Sequence, residues 1–195
     1  MNSATGLVHI DQYDLLGSNF YWHKYANHGL TKEDILVAGV VDDRVQVHKD
    51  MIDPLLAVNK ELQERGWRLY IKEGYRSDAL YEIVYKRRVE KYGKEETDSI
   101  LNLEGRPHAL GLSIDAAIWD EKENKEVYLR RGEDGLPALF IGFYEGKDDE
   151  QSKHYQELQD YLANLMMRHG FRIGTRKEYF HFDYRPDTAP NYKVD

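Results

Sequence analysis

Five residues of this 195-residue chain have the types and spacing to hold and use a divalent metal: His108, Asp115, Glu178, His181 and Arg76. The first two bracket a glycine turn and the start of a strand, in Gly105-Arg106-Pro107-His108-Ala109-Leu110-Gly111-Leu112-Ser113-Ile114-Asp115. Pro107 restricts the backbone before the histidine, and Gly111 permits a tight turn after it. A loop folding back on its own strand can bring both side chains to one point. On that strand Ser113, Asp115 and Ala117 share one face, while Leu112, Ile114, Ala116 and Ile118 pack on the other. An aspartate in so apolar a strand is costly unless it is paired or metal-bound. The competing reading is an aspartate that caps a neighbouring loop or pairs with an arginine.

Glu178-Tyr179-Phe180-His181 places a carboxylate three residues before a histidine. Alone this pattern is common by chance. Catalytic zinc usually keeps three protein ligands, and a nearby carboxylate can take a proton from water that the metal has acidified. On an ideal strand Glu178 and His181 would face opposite sides, so Glu178 is expected on the loop entering the strand or at a bulge. His181 and Asp183 do share a face, which makes Asp183 a rival ligand or a partner that orients His181. Arg76 follows Gly74-Tyr75 at the end of a strand. A fixed guanidinium there can polarise a carbonyl or hold a carboxylate; the plainer alternative is a surface salt bridge. The other six of the eight histidines, His9, His23, His28, His48, His154 and His169, are expected to be structural or superficial.

Composition narrows the field. There is no cysteine, which removes disulfides, thiolate metal sites and cysteine nucleophiles, so a bound metal must sit on His, Asp and Glu. A formal charge of −8 argues against a nucleic-acid binder and against strong attachment to an anionic membrane or wall. No apolar run reaches the roughly 20 residues of a membrane span. The N-terminus lacks a basic start followed by an apolar core, so a soluble, cytoplasmic chain is expected. No segment points to a protein partner.

The elements that must position these residues are legible in outline. Residues 1–30 read as an irregular, aromatic arm on a single domain spanning 1–195, and Thr31 is a possible helix cap before a short element. Ile52, Leu55, Leu56, Val58 and Leu62 recur at helical spacing from Met51 to Arg65, with Pro54 in the first turn and Gly66 after it. Trp67 to Ile71 alternates as a half-buried strand, and Ser77 or Asp78 caps a helix to about Tyr92. Leu112 to Trp119 is a strand, with Glu121 to Asn124 as a turn and Glu126 to Leu129 as a hairpin partner. Arg130 to Asp149 contains four glycines and reads as a long functional loop or lid. Lys153 to His169 is an amphipathic helix stopped by Gly170. Phe171 to Ile173 and Tyr179 to Tyr184 follow as strands, and Pro186 and Pro190 mark a closing tail. The sum is α+β, a small mainly antiparallel sheet with packed helices.

Together, Gly74-Tyr75-Arg76, the His108 to Asp115 segment and Glu178 to His181 resemble the ordered motifs of the zinc D-alanyl-D-alanine dipeptidase and carboxypeptidase family. The pattern of that family is Gly-Tyr-Arg, then S-x-H-x-x-G-x-x-x-D, then E-x-x-H. The helix ending Leu165 to Phe171 and the Asn19-Phe20 pair are similar too. The resemblance implies zinc held by His108, Asp115 and His181, Glu178 as general base and then acid, and Arg76 stabilising the oxyanion. It implies the compact α+β fold shared with hedgehog-type domains and a small peptide substrate, D-Ala-D-Ala or a similar dipeptide of peptidoglycan origin. Three places depart from the pattern. Arg106 replaces a serine, Tyr179-Phe180 replaces a tryptophan-rich pair, and Phe140 to Gly146 replaces a Met-Gly segment whose acid binds the substrate amino group. Arg106 and Glu145 are accordingly the candidate substrate-binding residues. The alternatives are an endopeptidase or carboxypeptidase of the same fold acting on larger fragments, an iron(II) oxygenase, and a non-catalytic domain that keeps the metal.

Overall fold

Alternation and capping set most of the elements. The computed structural model describes residues 5–101, 106–174 and 177–186; Gly105 and Pro190 lie outside them. The N-terminal arm is more regular than its sequence suggests. It contains β1 (Leu7–His9), β2 (Leu16–Gly17) and α1 (Phe20–Lys24), with one 3-10 turn between β1 and β2 and another after α1. Elements of two to five residues are too short to show a hydrophobic period, and here tertiary pairing makes them. After α2 (Lys32–Val37), β3 (Gln46–His48) pairs antiparallel with β1. Thr31 caps α2 with a reciprocal box: Asp34 N–H donates to the Thr31 hydroxyl, and Thr31 N–H donates to the Asp34 carboxylate.

The helix expected after Met51 is α3 (Ile52–Gln63), and it buries Ile52, Leu55, Val58 and Leu62, whereas Leu56 faces outward. Next come β4 (Trp67–Glu73), α4 (Asp78–Tyr92, capped by Ser77) and α5 (Lys94–Ile100). They are followed by β5 (Ser113–Asp120), β6 (Lys125–Val127), α6 (Glu150–Arg168, capped by Asp149), β7 (Phe171–Ile173) and β8 (His181–Tyr184). Tyr179 and Phe180, expected in the last strand, instead form the turn before it, closed by His181 N–H donating to Glu178 C=O at 3.2 Å.

The main sheet runs β2-β4-β5-β8-β7, and β6 shares with β8 the edge of β5 that β4 leaves open. Among the described residues only the β2–β4 pairing is parallel. The fold is therefore α+β with a mainly antiparallel sheet. Ile114, Ala116 and Ile118 of β5 join Leu55 and Leu62 of α3 and Leu162 and Met166 of α6 in one core. Strand periodicity then directs Ser113 and Asp115 to the opposite face. A second apolar cluster packs Tyr21, Leu30 and Ile35 onto Leu80 and Val84 of α4, which fixes the arm beside that face.

The glycine-rich stretch from Arg130 to Asp149 is a buttress, not a loose lid. Ala138 and Tyr144 are buried against Tyr155 of α6, and the Tyr144 hydroxyl donates to Asp134 at 2.7 Å. Its far side runs along the segment before β8: Tyr179 N–H donates to Leu139 C=O and Ile141 N–H to Lys177 C=O, both at 2.9 Å.

Candidate metal centre

Two strands and one tight turn bring the candidate ligands together. Asp115 on β5 and His181 on β8 are direct cross-strand partners, as are Ser113 and Asp183. In antiparallel pairs such residues lie on the same face about 5 Å apart. The third ligand comes from a 3-10 turn, Pro107–Leu110, with left-handed residues at both ends, Arg106 at φ 32° and Gly111 at φ 68°. Gly111 is needed twice over, because a side chain there would also press on Leu7 and on the backbone of His48. The turn returns His108 over the start of β5. One ligand atom from each of His108, Asp115 and His181 then lies within 4.8 Å of the others.

The ring nitrogens are assigned by their partners. His108 Nδ1 donates to Gly74 C=O at 2.7 Å, which leaves Nε2 as the lone pair facing Asp115 Oδ1 at 3.6 Å. Gly74 can approach this closely because its backbone packs on Gln46 C=O, where any side chain would overlap. His181 is turned the other way round. Its Nδ1 is 2.9 Å from Asp115 Oδ1, and its Nε2 is 3.4 Å from Asp183 Oδ1. Asp183 thus stands behind the ring, outside the ligand group.

Two imidazole lone pairs and one carboxylate converging on a point fit zinc, whose three-ligand sites leave a position open. His108 and His181 are buried and Asp115 is partly exposed, so the group opens to solvent through its carboxylate. Burial works against the ionisation of Asp115, but its close contacts with both histidines outweigh it and hold its pKa well below the usual carboxylate range. Burial likewise opposes charge on His181, yet Asp115 and Asp183 lift its pKa to about 10. A histidine raised from 6.5 to about 10 contributes stability that is complete below its unfolded pKa and lost as pH rises through the folded one. The melting temperature of metal-free protein is therefore expected to fall between about pH 6.5 and 10. Zinc-loaded protein should show a smaller fall, since the metal replaces that proton. Calorimetric melts of both forms across this range check it.

Gly174 supplies the room for the His181 ring. A Cβ at Gly174 would overlap the ring carbon Cδ2. Gly174→Ala is expected to displace the imidazole and to weaken zinc binding about 10-fold or more, by analogy with loss of ligand orientation. A chelator-competition titration measures it, and unchanged affinity would show that the ring has space to move.

Arg76 is not on the surface. Its guanidinium makes a bidentate pair with Glu73, Nε to Oε1 at 2.7 Å and Nη2 to Oε2 at 2.6 Å, and both residues are buried. It lies 4.5 Å from the ring centre of Tyr81 and 5.2 Å from that of Tyr21. Burial alone would lower its pKa, but Glu73 holds it above the ordinary arginine range. The pair adjoins the metal group directly. Glu73 is the cross-strand partner of Asp115, across a β-bulge, and Arg76 N–H donates to His108 C=O at 3.2 Å. Tyr81 closes the cluster by accepting the His108 N–H at 3.0 Å, and burial pushes its pKa up to about 12, which keeps the phenol protonated.

The remaining candidates lie as follows. Glu178 is half-buried on the turn three residues before His181, and its backbone bridges to Phe140 of the buttress loop. It is thus on the entering loop, which removes the strand-parity conflict. Arg106 pairs with Asp78 at 2.6 Å and reaches Glu82 at 3.5 Å, both on α4. Glu145 is exposed, with its carboxylate folded over Gly142.

Solved structures similar to this one include two peptidases. The LD-carboxypeptidase LdcB matches with a TM-score of 0.48 and 17% identity, over 73% of this chain and 61% of that one. The vancomycin-resistance D,D-pentapeptidase VanY, a mutant in complex with Zn(II), matches with a TM-score of 0.46 and 15% identity, over 71% of this chain and 72% of that one. The chain thus spans less than two thirds of the length of the LdcB structure. No family model matches the chain, and no curated protein is similar to it in sequence. At these values the functional reading rests on the site's own residues.

Sequence reasoning passed over Glu73, Tyr81, Tyr21 and Gly174. Glu73 did carry a signal: it continues the buried alternation of Leu69 and Ile71, and a carboxylate in that register needs a partner. The tyrosines and Gly174 gave none, because their contacts form only when distant segments meet.

Proposed function

We propose that this protein is a zinc-dependent peptidase that hydrolyses a short D-amino-acid-containing peptide, D-Ala-D-Ala or a similar dipeptide. The observation that carries the reading is the convergence of His108, Asp115 and His181 beside a buried, charged Arg76. A metal with a purely structural role has no use for the arginine. Zinc, when bound, supplies Lewis acidity for a scissile carbonyl and acidifies water. Glu178 takes a proton from the attacking water and returns it to the leaving amine. Arg76, held rigid by Glu73 and two aromatic rings, faces the charge that develops on the carbonyl oxygen. The D-Ala-D-Ala substrate rests on the ordered sequence motifs.

The test is a panel of D,D-, L,D- and D,L-dipeptides, free and amino-blocked, together with longer D-Ala-terminated peptides, assayed with zinc-loaded protein. Cleavage of a free D,D-dipeptide in preference to its blocked form is expected. Preference for the longer peptides would make the chain a carboxypeptidase, and cleavage of none would overturn the peptidase reading.

A further inference from the structure

We propose that Ser113 and Asp183 are a positioning pair that fixes the ring of His181 and ties it to the turn carrying His108. The inference rests on the metal reading above and concerns two residues outside the ligand group. Asp183 Oδ1 is 3.4 Å from His181 Nε2 and 2.6 Å from the Ser113 hydroxyl, which also lies 2.8 Å from Pro107 C=O. Both residues are buried, Ser113 at 1% and Asp183 at 8% exposure, so neither is satisfied by bulk solvent.

An imidazole can present either nitrogen, and its ring can turn over. A carboxylate behind Nε2 holds the hydrogen there and leaves the Nδ1 lone pair toward Asp115 and the metal. Such an outer carboxylate also makes the ligand nitrogen more basic. Asp183 needs a second donor to stay in place, and Ser113 supplies it from the opposite strand. The Asp183 carboxylate is thus held between His181 on its own strand and Ser113 on the neighbouring one. The single serine hydrogen is shared between that carboxylate and Pro107 C=O. Pro107 is the residue immediately before His108. One hydroxyl therefore spans the two elements that deliver the histidines, and a shift of either is felt by the other.

The experiment measures zinc affinity by chelator competition, and the visible spectrum with Co2+ in place of zinc, for the unchanged chain, Asp183→Asn, Ser113→Ala and the double variant. Asp183→Asn is expected to weaken zinc binding about 10- to 100-fold and to alter the Co2+ bands. Ser113→Ala should act in the same direction and less strongly. Because serine acts through the aspartate, the double variant should bind no more than a few-fold more weakly than Asp183→Asn alone. Melts of the metal-free variants show that each is folded before its affinity is read, and Asp183→Glu serves if Asp183→Asn does not fold. Folded Asp183→Asn with unchanged affinity and spectrum would overturn the proposal. A fully additive double variant would overturn the coupling through Ser113. If the unchanged chain itself binds no zinc, the metal reading falls and this inference with it.

Discussion

Replacing Glu178 with alanine is expected to abolish most hydrolysis, by about 10²- to 10⁴-fold, while zinc binding stays within a few-fold of the unchanged chain. The two effects separate because Glu178 lies outside the ligand group and is carried on a turn, not on the strand that holds His181. That turn is set by backbone bonds: Glu178 C=O accepts from His181 N–H, and the neighbouring residues pair with Leu139 and Ile141 of the buttress loop. Removing the side chain leaves those bonds intact, so the histidine keeps its place. Activity on the best peptide of the panel and zinc stoichiometry after dialysis measure the two quantities. Activity retained within 10-fold would remove Glu178 from the chemistry, and loss of zinc would make it a ligand.

The second large effect concerns Arg76. Arg76→Ala is expected to lower both stability and activity, through different partners. Glu73 is 4% exposed and would lose the two charged hydrogen bonds that compensate its burial. Breaking a buried pair from one side typically costs about 3–5 kcal/mol, most of it from the stranded charge. Loss of a donor to a developing oxyanion typically lowers kcat by about 10²- to 10³-fold. Adding Glu73→Gln removes the stranded charge, so the double variant should recover part of the stability and none of the activity. Denaturant melts and kcat on one set of samples decide the matter. Activity that returned with stability would make Arg76 a purely structural residue.

The buried pair also explains why the arginine gave so ambiguous a signal in the sequence. Gly74-Tyr75-Arg76 suits a surface salt bridge as well as an oxyanion donor, since the local residues are the same in both. The deciding facts are long-range. Tyr21 comes from the N-terminal arm and Tyr81 from the following helix, and both rings lie against the buried guanidinium. A buried, pre-oriented cation acts more strongly on nearby charge than an exposed one, because less solvent screens it.

What the sequence determined by itself was local. Capping by Thr31 and Ser77, the helical spacing of Ile52, Leu55, Val58 and Leu62, and the alternation of β4 and β5 all follow from side-chain type and period. The same alternation placed Asp115 and Ser113 on the face opposite Ile114 and Ala116. The types of residue able to hold zinc were legible too, because a chain without cysteine leaves only His, Asp and Glu, while the particular set of three was implied by the family resemblance. Tertiary structure decided whatever depended on register and on contact between distant segments. Register paired Asp115 with His181 and Ser113 with Asp183, which set Asp183 behind the His181 ring and outside the ligand group. Packing turned the described part of the arm, residues 5–30, into paired strands and a helix, and made the glycine-rich loop a support for the Glu178 turn. The physical reason is the range of the forces involved. Propensity, capping and periodicity act within a few residues, whereas a metal group is a meeting of lone pairs from three segments whose approach only the sheet can fix.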